Sequence, residues 1–339
     1  RKLYVVTNTG QYYTGPFLFY LDYTKKQHDF VTATKGSIST MDMTLNAFTL
    51  SILTGLQLGS IYVLIALGLT LIFGTLGVVN FAHGALYLIA IYLAVSINNA
   101  LGFGLALILV PPILFIIGVL LERGLIQRFY DRPHTDQILV TFGLAIVIQE
   151  LLKWAFGANN IPFSIPSWGN GIIFMHDYLP FLEGFVVYPK WRMILVVVAI
   201  VTVSAVFALL HLTRFGLVIR AGMRDAEMLQ FLGVNINRRF MVVFGLGAMI
   251  AGIAGVFGGP VTQVSPEVGM QLLVPSFLIV VIGGMGSLGG AVLASILIGM
   301  AQSFTAPYIY INTIIIYLIT VIILLVRPRG LLGAKGVFE

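Results

Sequence analysis

Cysteine is absent from the 339 residues, and charge is scarce. The first absence excludes disulfides, thiol nucleophiles and cysteine-ligated metals, and leaves the compartment open. The second is more restrictive. Asp, Glu, Lys and Arg make up 9% of the chain, against about 25% in an average soluble domain, so a water-facing surface cannot be assembled from them. None of the four occurs between Asp42 and Glu122, and Glu267 is the only one between Arg239 and Arg327. Lipid is the solvent these stretches imply. In lipid the backbone must satisfy its own hydrogen bonds, which leaves helices or closed barrels. Barrel strands alternate apolar and polar residues. Here the runs are continuously apolar and close to the ~20 residues a spanning helix needs.

Catalytic patterns are missing as well. No GxxxxGK[ST] occurs, so the chain has no P-loop with which to hydrolyse ATP. The glycine run GGMGSLGG at 283–290 lacks the lysine. HExxH is absent, no carboxylate pair faces a polar cleft, and the five histidines are scattered. Neither a metal nor a cofactor is expected. The formal net charge of +6 does not call for nucleic acid, because the basic residues sit mostly in short loops between apolar runs, where the positive-inside rule puts them.

What is present is a series of apolar runs: 48–74, 85–97, 103–121, 136–157, 191–212, 240–259, two shorter pieces within 272–304, and 313–326. The fold class this predicts is all-α, a polytopic bundle of about eight spans. The segments at 74–84 (GTLGVVNFAHG) and 283–290 break their hairpins, re-entrant or glycine-broken. Pro111–Pro112 predicts a kink or a helix start. Residues 1–44 read as a polar extension: a start-site artefact, a tag-like segment or an extracytoplasmic arm, with Met41 or Met43 as candidate natural starts. Residues 45–339 form the membrane domain. Arginines at 123, 128 and 132, from 214 to 239, and at 327 and 329 place three loops or tails in the cytoplasm. The N-terminus is then outside and the C-terminus inside. That parity suggests an internal repeat, 48–98 with 103–123 against 272–304 with 313–327. Trp154, Trp168 and Trp191 fit an aromatic belt, and Glu150 and Lys153 can pair on one helix face.

Two constellations are candidates for function. Asn80 and His83, with Gly84, lie in a charge-free region, and leaving either polar side chain unpartnered costs about 1–3 kcal/mol. They either face a translocation pathway or its gate, together with Gly283, Gly284 and Gly286 of the second break, or they hold a structural turn while the glycines allow close helix packing. The second is the loop 214–240. Within it Asp225 to Leu232 reads as a short amphipathic helix, with acids in its first turn and Gly233 as its stop. Met228, Leu229 and Leu232 give it an apolar side, and Arg220 and Arg224 rim it. Such a helix suits docking by a soluble partner or residence among lipid head groups.

The segments GLQLGSIYVLIALGLTLIFGTLGVVNFAHGALY, RAGMRDAEMLQFLGVN, VIGGMGSLGGAVLASILIG and RPRGLLG, in this order over residues 45–337, together resemble the branched-chain amino acid importer permeases of the ABC class, in their high-affinity H type. The resemblance implies a bacterial inner-membrane protein that pairs with a second, related permease. It also implies two cytoplasmic ABC ATPase subunits and a periplasmic solute-binding protein as partners, and membrane lipid as surroundings. Hydrolysis would fall on the ATPases, and this chain would be a non-enzymatic transport subunit working by alternating access. By position, Arg220, Gly222, Arg224, Asp225, Glu227 and Gly233 would form the ATPase-coupling element. The broader family also serves urea and short amides, which keeps a second substrate class open. An ion-coupled secondary transporter is a further alternative, disfavoured because no acid or base to bind H⁺ or Na⁺ is evident between residues 43 and 121 or across 240–326, apart from Glu267 near the outer surface.

Overall fold

The computed structural model describes residues 5–6, 12–13, 40–130, 132–178, 186–223 and 225–333, with the backbone alone at 5–6, 12–13, 40–44, 226 and 227. The chain divides into two units, residues 1–49 with 175–186, and residues 50–174 with 187–339. In the first, β1 (Val5–Val6) pairs antiparallel with β2 (Tyr12–Tyr13). Of the extension at 1–44, all but 5–6, 12–13 and the helical residues from Thr40 lies outside the described residues.

The second unit is helical. The elements are α1 (Thr40–Leu76, which begins in the first unit), α2 (His83–Leu101), α3 (Phe103–Gly124), α4 (His134–Phe156) and α5 (Lys190–Leu212). They continue with α6 (Arg214–Gly222), α7 (Ala226–Phe231), α8 (Ile236–Gly258), α9 (Val268–Gly283), α10 (Leu288–Thr305) and α11 (Ile309–Val326). A short hairpin of β3 (Ile172–Phe174) and β4 (Val187–Pro189) precedes α5. Among the described residues, eight helices are long and apolar enough to cross a membrane, and α9 is a shorter apolar helix. Several polar side chains inside these spans return their hydrogen bonds to the preceding turn: Ser60 to Leu56 O, Thr75 to Leu71 O, Ser295 to Ala291 O and Thr320 to Ile316 O. That local bond removes the need for water or a distant partner.

The core is built around α2. Leu86, Tyr87, Ala90, Ile91 and Ala94 are all fully buried, and a helix apolar and buried on every side belongs inside a bundle. It packs against α3, α8, α4 and α9. Helices α3 and α8 pass antiparallel at small residues; a Cβ on Gly118 would stand 2.6 Å from Ala248 Cβ, the close backbone approach that packing in lipid favours. By contrast α4 and α11 bury only a small part of their surfaces.

Both expected breaks are present, at 77–82 between α1 and α2 and at 284–287 between α9 and α10. Helix, glycine break, helix and a span ending at an arginine recur in α1–α2–α3 and α9–α10–α11. Two local readings change in part or whole. The helix containing Pro111 and Pro112 starts at Phe103 and runs through both prolines, so they do not begin a helix; Pro111 is buried where a Cβ on Gly252 of α8 would stand 3.0 Å from its Cα. Trp154 and Trp168 are exposed, but Trp191 is buried, donates to Phe257 O at 3.0 Å and packs with Phe103 and Phe257. It is a core residue and not part of a belt. The Glu150–Lys153 pair forms at 3.7 Å with both groups exposed.

Candidate functional site

One end of the bundle gathers the arginine-bearing segments. Helix α6 begins where the Thr213 hydroxyl accepts from Gly216 N at 3.1 Å. After it, Asp225 caps α7 by accepting from Met228 N at 2.8 Å, and Asn235 caps α8 by accepting from Arg238 N at 3.1 Å. Between these caps α7 ends in a Schellman arrangement. Gly233 N donates to Gln230 O at 2.9 Å and Val234 N to Leu229 O at 3.0 Å. Gly233 carries φ of +80°, a left-handed conformation that costs about 1–2 kcal/mol with a side chain. Gly222 packs under Ile236 and Leu229, its hypothetical Cβ 2.6 Å from Ile236 Cδ1. The element is therefore a rigid, capped helical corner. Phe231 (87% exposed), Leu232 and Met228 project from it into open space. Arg224 lies outside the described residues, and of Glu227 only the backbone is placed.

Arg220 turns the other way. It is half-buried, and it lines a cavity of about 260 Å³ with Gly286, Gly74 and Thr70. The structure thus brings together one residue of the expected coupling element and one of the expected pathway glycines. The glycine turn is itself clamped. Gly283 and Gly290 face each other so closely that a Cβ on Gly283 would run into the backbone of Gly290. Gly284 and Gly286 have φ of +98° and +84°. The tail RPRGLLG folds onto this turn: Leu331 N donates to Ile282 O at 2.7 Å and Leu332 N to Gly283 O at 3.0 Å. A helix leaves its last carbonyls without partners, and the tail supplies them for α9.

The other break lies deeper. Phe81 N donates to the Thr141 hydroxyl at 3.1 Å, about two turns inside α4. Asn80 Oδ1 accepts from Ala82 N at 3.0 Å, and His83 N donates to Asn80 O at 3.3 Å, an Asx-type turn that starts α2. His83 is fully buried, its ring against Gly68 of α1, where a hypothetical Cβ would stand 2.8 Å from both His83 Cε1 and Gly247 O. Gly247 lies halfway along α8, so α2 starts near mid-depth of the bundle. Among the described residues neither ring nitrogen of His83 makes a well-formed hydrogen bond, although the Ile65 carbonyl faces the ring. Asn80 Nδ2 is likewise without a partner. Gly84 crosses Gly269 of α9. Phe81 is less buried; its ring lies 5.1 Å from that of Phe277 on α9 and 6.2 Å from that of Phe142 on α4.

At the end opposite the arginines, α4 and α9 border a cleft of about 570 Å³ lined by Gln149, Lys153, Gln263, Glu267 and Gln271 among others. Phe142 and Phe277 lie further along the same two helices toward the arginine end. Sequence reasoning singled out the segment 80–84 but gave Phe81 no role, and it missed Phe142, Phe277, Thr141 and the exposure of Phe231. Phe81, inside that segment, and Phe231, an aromatic next to an amphipathic stop, left a signal in the sequence.

A polytopic helical membrane protein with a capped helical corner at one end, a polar cleft at the other and a broken helix between them has the parts of a transport subunit. Residues 51–327 match the family model described as branched-chain amino acid transport system / permease component, and the chain belongs to that family. It is 29% identical over 300 residues to the high-affinity branched-chain amino acid transport system permease protein LivH of Salmonella typhimurium, covering 84% of this chain and 94% of that protein. It is 28% identical over 301 residues to BraD of Pseudomonas aeruginosa (84% and 96%), named likewise as a permease protein of high-affinity branched-chain amino acid transport. To the LivM permease of Escherichia coli it is 26% identical over 292 residues, covering 80% of this chain and 68% of that protein. No solved structure matches.

Proposed function

We propose that this chain is one of two related permease subunits of a bacterial ABC importer for branched-chain amino acids. The names of LivH, BraD and LivM supply the substrate class, and the coexistence of LivH and LivM in one organism supports a paired partner. The arginine end faces the cytoplasm by the positive-inside rule; the N-terminus is outside and the C-terminus inside. ATP is hydrolysed on separate subunits that dock on α7, and a binding protein delivers the amino acid to the opposite face.

The observation that carries this reading is that Arg220 and Gly286 line one cavity. A partner that holds Phe231, Leu232 and Met228 moves the capped corner as one body, and Arg220 passes that movement to the α9–α10 turn. Gly283, Gly284 and Gly286 let the turn respond. At mid-depth Phe81 is the part of the NFAHG motif that faces the gap between α4 and α9, and it acts as the gate. Asn80, His83 and Gly84 hold it in place. Polar cleft, aromatic constriction and glycine turn follow one another from outside to inside, as alternating access requires.

The test is uptake of radiolabelled leucine into proteoliposomes holding the assembled transporter and its binding protein. ATP-dependent uptake, competed by isoleucine and valine and abolished by Phe231→Glu, is expected. Uptake that needs no ATP and collapses with an ionophore would identify a secondary transporter instead.

A further inference from the structure

The cavity that Arg220 and Gly286 share carries, beyond the coupling role proposed for it, unsatisfied donors of its own. Four elements wall it: α1, α5, α6 and the start of α10. Arg220 Nη1 is buried and has no hydrogen-bond partner among the described residues; the same holds for the hydroxyl of Thr70, which is 1% exposed. Both residues line this one cavity. Leu288 and Gly289 line it too. They are the first two residues of α10, whose cap Ser287 takes the Gly290 amide, so their own amides are donors no cap claims. His211 is also on the wall, with Nδ1 turned to Phe207 O at 3.0 Å. No Asp or Glu is among the described residues that line the cavity.

An arginine, a hydroxyl and the positive end of an 18-residue helix converge on one space without an acid. That arrangement selects an anion with several acceptor oxygens. We infer that this cavity binds a negatively charged phosphate group, and that the group bridges the α6 corner to the start of α10. The remaining wall favours a phospholipid head group as its source. Phe207 and Leu210 are apolar, and Ile200 and Val201 further along α5 are exposed, a track along which an acyl chain can lie. Basic pockets between spans on the cytoplasmic side are suited to anionic lipid heads. Inorganic phosphate would present the same oxygens without the chains.

The full-length chain, purified in detergent and stripped of lipid, is titrated with phosphatidylglycerol and with phosphatidylcholine and read by native mass spectrometry. In parallel its unfolding midpoint is followed against inorganic phosphate. Phosphatidylglycerol is expected to bind about tenfold tighter than phosphatidylcholine, and Arg220→Gln and Thr70→Val each to remove most of that preference, the size expected for one lost charge-assisted contact. Arg128→Gln, at the same end but outside the cavity, keeps it. A midpoint raised by phosphate in the parent and in neither cavity variant, without lipid preference, also supports the site and makes free phosphate the source. If neither probe distinguishes the parent from the two variants, the inference is wrong. Thr70→Val removes the hydroxyl without changing shape, so it gives a reading even if Arg220→Gln does not fold.

Discussion

Replacing Gly84 by alanine adds one methyl group at the tightest point between α2 and α9. That carbon would stand 2.6 Å from Gly269 O and 2.8 Å from Leu273 Cβ. One contact is backbone and the other the root of a side chain, so neither can swing away. Restoring an ordinary contact of about 3.5 Å requires the two helices to part by roughly 1 Å. Overpacking of this kind costs about 1–3 kcal/mol, and the better helix propensity of alanine returns up to ~1 kcal/mol. A net loss of about 1–2 kcal/mol is expected. Gly269→Ala meets Gly84 O at 2.6 Å and is expected to cost the same. The two clashes share a single crossing, so once the helices have separated for one methyl the second is cheaper. The double variant should therefore cost about 1 kcal/mol less than the sum. The assay is the unfolding midpoint in detergent, compared at one scan rate because such unfolding is governed by rate. Gly143→Ala on α4, where nothing lies within 4 Å, is the control and should not lower the midpoint. A Gly84→Ala protein as stable as its parent, or costs that simply add, would refute the packing argument.

Asp225→Ala removes the acceptor for Met228 N and should cost about 1 kcal/mol, seen as faster amide exchange over 226–231; Asp225→Asn should retain protection. Ending the chain after Pro328 removes the amides of Leu331 and Leu332 that cap Ile282 and Gly283, and is expected to lower the unfolding midpoint and open the α9–α10 turn to proteolysis. Tyr130 donates to the buried carboxylate of Glu122; Tyr130→Phe should cost about 1–3 kcal/mol, whereas Glu122→Gln keeps an acceptor and should cost less, both read by unfolding midpoint. Burial, and then the Glu122 carboxylate, push the Tyr130 phenol up. A raised acid is protonated in the folded state, so this contribution is whole below the unfolded value of about 10 and lost only as pH rises past it.

The spans were legible because long runs without ionisable side chains have one solvent that suits them, and α7 was legible because caps are local: Asp225 and Gly233 sit within a few residues of the groups they satisfy. Long-range closures were not. The bond from Leu331 N to Ile282 O joins two backbones across the whole of α10 and α11 and needs no particular side chain at either end. Trp191 looked like any tryptophan near a span end. What buries it is Phe103 and Phe257, which the chain brings there only after folding. The choice between structural turn and gate for Asn80 and His83 was open because it turns on depth. The sequence could not show that His83 lies against Gly68 and Gly247, or that Asn80 Nδ2 and the His83 ring nitrogens lack partners among the described residues.

The absence of cysteine makes a single introduced thiol unambiguous. With Phe231→Cys as the sole thiol of the permease, a short bifunctional cross-linker applied to inverted membrane vesicles is expected to join the chain to an ATPase subunit. Tyr310→Cys, at the start of α11 on the other face, should give no such product. Labelling of Cys at 231 by an impermeant maleimide from outside intact cells, or its failure to cross-link while leucine uptake persists, would contradict the assignment of this helix as the point where energy enters the membrane subunit.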